Sequence, residues 1–276
     1  MIFLGLDEFL LAALKEDIGT GDITSLSCVP AKQMSSGRFI AKEDGVVCGL
    51  DIAERVFALY DADTRLELLV SEGAHVKKGD IIARISGRSR SLLMCERVAL
   101  NLLQRVCGIA GMTAQAVAAV AGTGAKIVDT RKSTPGLRAI EKSAVRAGGG
   151  SNHRFNLADG ILIKDNHIKA AGGISAAIRA ARSNAPHTLK VEVETETIGE
   201  VREALDAGAD VIMLDNMDNA TMREAVELIA GRALTEASGN MGERDLRAVA
   251  ETGVDFISIG ALTHSVRSLD ISLKFD

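Results

Sequence analysis

The spacing of apolar and polar positions along the chain changes character near residue 110. Before that point, short runs typical of β-strands mix with helical periodicity. Residues 1–19 predict an amphipathic helix whose apolar face carries Leu6, Phe9, Leu10, Ala13 and Leu14. Strands are predicted over residues 37–41, 45–49, 66–70 and 81–85. The first part of the chain is therefore predicted to be a mixed α/β layer.

Two segments of this first part need interpretation. Residues 72–87 predict a β-hairpin with glycines at its turns, similar to the hairpins of lipoyl and biotinyl carrier domains. A carrier needs a modifiable lysine at a tight turn, and Lys42 lies in no such turn motif, so a structural β layer is favoured. Residues 90–106 have helical periodicity, which loosens at Gly108 and Gly111 and resumes over 113–120. This pattern indicates a long connector between two halves.

One plan repeats after about residue 124: a short apolar run, a polar cluster, then a helix. The six apolar runs cover residues 126–132, 160–167, 189–195, 209–216, 233–240 and 255–262. Helices are predicted between several of them, over residues 198–207, 219–229 and 243–251. Strands and helices alternating at this spacing form parallel sheets with right-handed crossovers. Six units are too few for an eight-stranded barrel, so an incomplete β/α barrel or an open doubly wound sheet is expected.

The chain length of 276 residues allows two modest domains. We expect an N-terminal domain over residues 1–110 and a β/α domain over residues 111–265. The last segment, about 266–276, is expected to return to the first domain as a strand.

Composition narrows the class of protein. Hydrophobic residues make up 47% of the chain and aromatic residues only 3%, which predicts an aliphatic core. The net charge of −5 argues against nucleic-acid binding. No apolar run of about 18 residues predicts a membrane span, and early acidic residues argue against a signal peptide. The four cysteines form no CxxC pair, so a soluble cytoplasmic protein with reduced thiols is expected.

Polar residues follow each apolar run of the second part. In parallel α/β folds, functional groups collect at the carboxyl ends of strands. The cations there are Arg131, Lys132, Arg138, His153, Arg154 and Lys164. Their gathering predicts a site for small, strongly anionic substrates, because arginine forks match carboxylate and phosphate oxygens. The alternative is a set of ion pairs on solvated helix faces, which accounts for Arg138 and Arg146 better than for residues directly after buried strands.

Carboxylates and glycines occupy the later strand ends. Glu192 and Glu194 alternate with valines, so both carboxylates are predicted to lie on one face of a strand. Glu192 and Asp215 could hold Mg²⁺ that arrives with a phosphorylated substrate. Alternatively, Glu192 pairs with Lys164 or Lys190. Gly239 and Gly260 lie in the last two loops, where backbone N–H groups of barrels often bind phosphate.

A set of segments over nearly the whole chain closely resembles the quinolinate phosphoribosyltransferase family, also called nicotinate-nucleotide pyrophosphorylases (carboxylating). The matching segments are EDIGTGDIT (16–24), ERVALNLLQRVCGIA (96–110), DTRKSTPGLR (129–138), GGGSNHRFNLADGILIKDNHI (148–168), VEVE, IMLDN, EASGN and TGVDFISIGALTHS (252–265). The resemblance implies the type II phosphoribosyltransferase fold, with an N-terminal α/β sandwich and an incomplete, six-stranded β/α barrel. It also implies transfer of a phosphoribosyl group from 5-phosphoribosyl 1-diphosphate to quinolinate with decarboxylation, in de novo NAD biosynthesis.

The resemblance also implies roles for individual residues. A positive pocket for the quinolinate carboxylates and neighbouring phosphates would contain Arg131, Arg154, His153, Lys132 and Lys164, with Thr130 at its edge. Glu192 and Asp215 would form the acidic pair near the ribose and Mg²⁺. Ser238, Gly239 and Gly260 would bind phosphate. The family acts as a homodimer or larger assembly, in which Arg97 would come from the adjacent subunit.

The chain departs from the family pattern at a few positions, and rival functions exist. Asn240 stands where many members carry a second glycine, and Ser151 and Phe155 flank His153 where smaller or more aliphatic residues are frequent. Related enzymes of the same fold, either a molybdenum-transport-associated paralogue or a nicotinate phosphoribosyltransferase, are the main alternatives. A Schiff-base aldolase that uses Lys164 would leave the arginines unexplained.

Overall fold

The computed structural model of the protein describes residues 4–276, which divide into two compact units. The first unit contains residues up to Ala114, together with Thr134–Gly149 and Val266–Asp276. The second unit contains Gln115–Ser133 and Gly150–Ser265. The segment 134–149, which the sequence pattern places in the second half, thus belongs to the first unit.

The elements follow the order expected from the alternation of apolar runs and helices. The first part of the chain forms α1 (Leu6–Ile18), α2 (Ile23–Cys28), β1 (Met34–Ala41), β2 (Gly45–Val46), α3 (Leu50–Tyr60), β3 (Arg65–Leu68), β4 (His75–Val76), β5 (Ile81–Arg88) and α4 (Ser89–Ala119). The second part forms β6 (Lys126–Val128), α5 (Arg138–Ala147), β7 (Ile161–Ile163), α6 (Asp165–Ala171), α7 (Ile174–Asn184), β8 (Val191–Thr195), α8 (Ile198–Asp206), β9 (Val211–Asp215), α9 (Asn219–Ile229), β10 (Leu234–Ser238), α10 (Leu246–Ala250), β11 (Phe256–Ser258), α11 (Ala261–His264) and β12 (Ile271–Phe275).

An antiparallel sheet of four strands, in the order β12-β1-β5-β3, forms the centre of the first unit. The last strand, β12, pairs with β1, and Phe39 lies opposite Leu273. Phe39 is buried and meets Phe57 of α3 edge to face, with ring centroids 6.2 Å apart. Alternate residues of β1 thus face a core that α3 covers. The amphipathic helix predicted at the start is observed as α1, and residues 1–3 of the predicted segment lie outside the described residues.

The hairpin predicted over residues 72–87 is wrong. β4 pairs with β2, whereas β5 pairs with β1 and β3. The turn between β4 and β5 is tight, because Asp80 accepts a hydrogen bond from the backbone N–H of Lys77. The turn itself is bonded to the end of β1, however, with Gly79 donating to Ala41. This attachment separates the two strands, and it removes the basis for the similarity to carrier domains.

The predicted long connector, whose helical periodicity loosens at Gly108 and Gly111, is one continuous helix, α4, of 31 residues. Gly108 does not interrupt it. A Cβ atom at Gly108 would lie 2.2 Å from the carbonyl oxygen of Arg267, so this glycine allows another backbone segment to approach the helix closely.

Six parallel strands form the sheet of the second unit, in the order β6-β11-β10-β9-β8-β7. This sheet with its crossover helices is the predicted incomplete β/α barrel. The strand interiors are aliphatic and buried, as at Val193, Ile212, Ala237 and Ile257. Short polar caps fix where the helices begin: Thr197 accepts from the N–H of Glu200 before α8, and Asp218 accepts from the N–H of Thr221 before α9. The strand ends and the loops before the helices are thereby held in place.

Across residues 4–276, no helix combines the length and the apolar character that a membrane span requires.

Candidate active site

A buried carboxylate connects the end of β6 to the segment that carries two predicted site residues. Asp129 is fully buried. It accepts a hydrogen bond from the backbone N–H of His153 at 2.9 Å and another from the side-chain amide of Asn152 at 2.6 Å. Ser151 also forms a parallel bridge with Val128 of β6. Asp129 therefore fixes the backbone from which His153 and Arg154 project.

The protonation of His153 follows from its hydrogen bonds. The backbone N–H of Arg154 donates to Nδ1 of His153 at 2.7 Å, so Nδ1 carries a lone pair and the ring proton of the neutral imidazole lies on Nε2. Nε2 lies 3.2 Å from Oε2 of Glu192 and 3.5 Å from Oε2 of Glu236. His153 therefore donates one N–H toward two carboxyl groups.

Glu192 on β8 and Glu236 on β10 form the acidic floor of the site. They are 7% and 4% exposed. Within the described part of the chain, the Oε1 atoms of both residues are buried and accept no hydrogen bond from a donor. Burial, followed by the charge of Glu192, raises the pKa of Glu236 to about 7, while His153 and Ser258 act in the opposite direction.

Arginines lie close to this floor. The guanidinium of Arg154 donates a hydrogen bond to the carbonyl oxygen of Gly160 at 3.0 Å. This bond holds the Arg154 side chain next to the start of β7. Burial and the neighbouring charge of Arg131 lower the pKa of Arg154, and the charge of Glu192 raises it. Arg131 and Glu192 are therefore each close enough to Arg154 for their charges to act on it. The other predicted cations of the strand ends are described below.

The two predicted lysines occupy different parts of the strand ends. Lys164, at the end of β7, pairs with Glu194 at 2.5 Å, and not with Glu192. Lys132 accepts a hydrogen bond from Thr263 through its backbone carbonyl, and its backbone N–H donates to Thr130.

The last two loops carry the predicted phosphate-binding residues. A Cβ atom at Gly260 would lie 3.0 Å from Cδ of Lys132, so the lysine side chain passes over this glycine. Gly239 has φ of 97°, and a Cβ atom there would lie 2.3 Å from Oδ1 of Asn216. Asn240, which replaces a frequent glycine, adopts the left-handed conformation with φ of 48°. The loop that follows Ser238, the last residue of β10, therefore depends on backbone conformations that few residues adopt.

The strand register keeps the predicted metal pair apart. Glu192 lies opposite Val211 on β9, so Asp215 stands four residues further toward the carboxyl end. At about 3.3 Å per residue, this is an offset of about 13 Å along the strand. Asp215 instead accepts a hydrogen bond from the Asn216 amide at 2.6 Å. Glu192 and Asp215 do not fit as joint ligands of one Mg²⁺ ion.

A different trio satisfies the distance expected of metal ligands. In the range 4–276, His153, Glu192 and Glu236 bring one ligand atom each within 4.8 Å of the others. The proton on Nε2 of His153 argues against a metal there, because a ligating nitrogen must offer its lone pair.

Two predicted basic residues lie in the first unit. Arg97 is exposed on α4, and Arg138 begins α5. The cross-subunit role of Arg97 stays a prediction.

Two residues of the site were not predicted from the sequence. Asp129 and Glu236 lie within the segments 126–132 and 233–240, and the sequence pattern predicts a role for neither. The signal for Glu236 is its strand position, two residues before Ser238 and flanked by Thr235 and Ala237 in a buried strand. For Asp129, only the folded contact with residues 152–153 reveals the function.

The fold and this cluster of cations and carboxylates define a β/α-barrel enzyme that acts on small anionic molecules. Family comparisons match residues 22–107 to "Quinolinate phosphoribosyl transferase, N-terminal domain" and residues 109–274 to "Quinolinate phosphoribosyl transferase, C-terminal domain". The chain belongs to the quinolinate phosphoribosyltransferase family.

Individual relatives match over nearly the whole chain. A probable nicotinate-nucleotide pyrophosphorylase (carboxylating) of Bacillus subtilis is 48% identical over 273 residues, covering 99% of this chain and 94% of the relative. Quinolinate phosphoribosyltransferase (decarboxylating) 2b of Nicotiana tabacum is 44% identical, covering 98% of this chain and 82% of the relative. The crystal structure of NadC from Streptococcus pyogenes has a TM-score of 0.93 at 44% identity, covering 99% and 98% of the two chains.

Proposed function

We propose that this protein transfers the phosphoribosyl group of 5-phosphoribosyl 1-diphosphate to quinolinate with loss of CO2. The products are nicotinate mononucleotide and diphosphate, and the reaction belongs to de novo NAD biosynthesis. Relatives that match almost the whole chain carry this activity in their names. The observation that carries the proposal is the pair of arginines, Arg131 and Arg154, beside the buried carboxyl of Glu192.

Quinolinate binds through its two carboxylates. Guanidinium groups form paired hydrogen bonds to carboxylates, and the like charges of Arg131 and Arg154 oppose each other. A ligand with two carboxylates relieves this repulsion more fully than one with a single carboxylate. The geometry therefore favours quinolinate over nicotinate.

The phosphoribosyl donor binds at the last strands. Gly239 and Gly260 offer backbone N–H groups to phosphate, with Ser238 and Thr130 as nearby hydroxyls. Lys132, which passes over Gly260, and Lys164 supply positive charge. Mg²⁺ enters as part of this substrate, bound to the diphosphate oxygens, since Mg²⁺ is commonly held through substrate phosphates.

The reaction needs no covalent enzyme intermediate. The bond between the anomeric carbon and diphosphate breaks, and its electron pair leaves with diphosphate. The positive charge that develops on the ribose is stabilised by the Glu192 carboxylate. The pyridine nitrogen, positioned by the arginines, donates its lone pair to the anomeric carbon. The resulting ring cation stabilises the electron pair left at C2 when CO2 departs, and C2 then takes a proton from water.

We further propose a cytoplasmic homodimer or higher homo-oligomer in which Arg97 completes the site of the adjacent subunit. Its exposure on α4 and its match to the family position support this role. Mixing Arg97→Ala chains with Arg154→Ala chains should restore part of the activity, because some hybrid sites contain both arginines. No recovery despite proven subunit exchange would contradict the shared site.

Substrate selection tests the proposal. Quinolinate, nicotinate and nicotinamide are each supplied with 5-phosphoribosyl 1-diphosphate and Mg²⁺, and mononucleotide is quantified. We expect turnover with quinolinate alone. Turnover of nicotinate without turnover of quinolinate would refute the assignment.

A further inference from the structure

Glu236 has no role in the proposed reaction, although it lies at the centre of the acidic floor. It is 4% exposed, and its Oε2 atom lies 3.5 Å from the imidazole N–H of His153. Its Oε1 atom is buried and accepts no hydrogen bond from a described donor, and the same holds for Oε1 of Glu192. A buried carboxyl oxygen that lacks a donor makes the ionised form of the group costly.

Two ionised carboxylates cannot coexist easily at this position. The ligand atoms of Glu192, Glu236 and His153 all lie within 4.8 Å of one another. His153 points its Nε2 toward the two carboxyl groups, because its Nδ1 accepts from the backbone N–H of Arg154. Arg154 is the cation whose charge acts on Glu192. One negative charge is therefore compensated, whereas a second would be opposed by burial and by the charge of Glu192, which outweigh the help of His153 and Ser258.

We infer that Glu192 and Glu236 share one proton, and that Glu236 is a positioning residue that holds the single charge of the pair on Glu192. The carboxylic O–H supplies the donor that the two Oε1 atoms lack. Glu192 is then fixed by this proton and by His153. The shared proton rests on the proposed function only where quinolinate is taken as the ligand that binds beside the charged pair.

The surroundings of Glu236 contain few other groups that could change its charge state. In the strand register, Glu236 lies opposite Met213 on β9 and Phe256 on β11, and both are apolar. The Ser258 hydroxyl on β11 and His153 favour its ionised form. Burial and Glu192 outweigh them, so the pKa of Glu236 rises to about 7, and a hydrogen bond with Glu192 contributes to the rise.

Stability against pH tests the shared proton without any substrate. The folded pKa of Glu236 lies above the unfolded value of about 4.5, so its contribution to stability is present below that value and is lost as the pH rises through about 7. Glu236→Gln removes this dependence. The Tm of E236Q minus the Tm of the wild type should increase by roughly 5 °C when the pH is raised from 5 to 8. The control is Glu196→Gln, which removes an exposed carboxyl after β8 and should track the wild type.

Quinolinate binding provides a second readout. Ionisation of Glu236 adds a negative charge to a site for a dianion, so wild-type affinity should fall between pH 6 and pH 9 by roughly tenfold or more. In E236Q the affinity should stay constant over this range. Isothermal titration calorimetry with quinolinate alone measures this, and it requires no turnover.

Infrared spectroscopy of the wild type covers the case in which E236Q does not fold. A buried carboxylic acid gives a C=O band separate from ionised carboxylates, and it should be present at pH 6 and absent at pH 9. The absence of that band at pH 6, or a Tm difference between E236Q and wild type that does not change with pH, would overturn the inference. If quinolinate does not bind but the Tm difference grows with pH, the proposed function fails while the shared proton stands.

Discussion

The replacement Asp129→Asn tests whether one buried carboxylate organises the site. Asp129 is fully buried and accepts two hydrogen bonds, from the His153 N–H at 2.9 Å and from the Asn152 amide at 2.6 Å. An asparagine side chain has one oxygen and one NH2 group, so only one of these donors keeps an acceptor. The other donor faces the new NH2 group.

The magnitude follows from these contacts. A hydrogen bond to a charged acceptor contributes about 1.5–3 kcal/mol, and a buried donor left without a partner costs about 1–3 kcal/mol. The Asn152 side chain is exposed and can bond to water instead. If the bond from Asn152 is the one that breaks, the cost is therefore at the lower end of these ranges. We expect the free energy of unfolding of D129N to fall by about 2–4 kcal/mol. Displacement of His153 should lower kcat by roughly a hundredfold.

Urea unfolding followed by circular dichroism measures the stability change, and mononucleotide formation measures kcat. Asn152→Ala is the matched control. It removes one of the same two hydrogen bonds but leaves the carboxylate and the His153 N–H in place, so it should cost about 1 kcal/mol. A D129N protein with wild-type kcat and a stability loss under about 0.5 kcal/mol would refute the positioning role.

Further predictions concern a buried ion pair and a strained loop. Arg105→Met should reduce the free energy of unfolding by about 3–5 kcal/mol, because the fully buried Glu141, which accepts from Arg105 at 2.7 Å and 3.0 Å, loses this partner. The double variant R105M/E141L should recover most of this loss in thermal denaturation, and no recovery would contradict the explanation. Gly239→Ala should raise the KM for 5-phosphoribosyl 1-diphosphate at least tenfold, because its methyl group would lie 2.3 Å from Asn216. The control Gly231→Ala has a similar positive φ but no atom within 4 Å, and its KM should stay at the wild-type value.

The architecture of the second unit was predictable because each strand carries two signals. An apolar run indicates burial, and the polar residues directly after it indicate the carboxyl end of the strand. These signals are local, and the sheet places all strand ends at one edge. The predicted β6 to β11 therefore all appear in the sheet. The same reasoning failed for residues 72–87, because a tight turn at Gly79 does not decide which strands its flanking segments pair with.

Contacts between distant residues account for what the sequence could not predict. Lys164 pairs with Glu194 and not with Glu192, and the register that decides this is set by pairing of β7 with β8. Glu236 meets Glu192 although β9 lies between their strands, since both side chains reach the same interior. The continuity of α4 through Gly108 depends on backbone approaching from residue 267. None of these contacts has a local pattern.

The most direct test of the account uses quinolinate labelled with ¹³C in the carboxyl group at C2, together with 5-phosphoribosyl 1-diphosphate and Mg²⁺. Labelled CO2, diphosphate and nicotinate mononucleotide are quantified in the same reaction. We predict equal amounts of all three products and no label in the nucleotide, and Arg154→Ala should lose most of the reaction. Label retained in the nucleotide, or no consumption of quinolinate by the folded wild-type protein, would contradict the account.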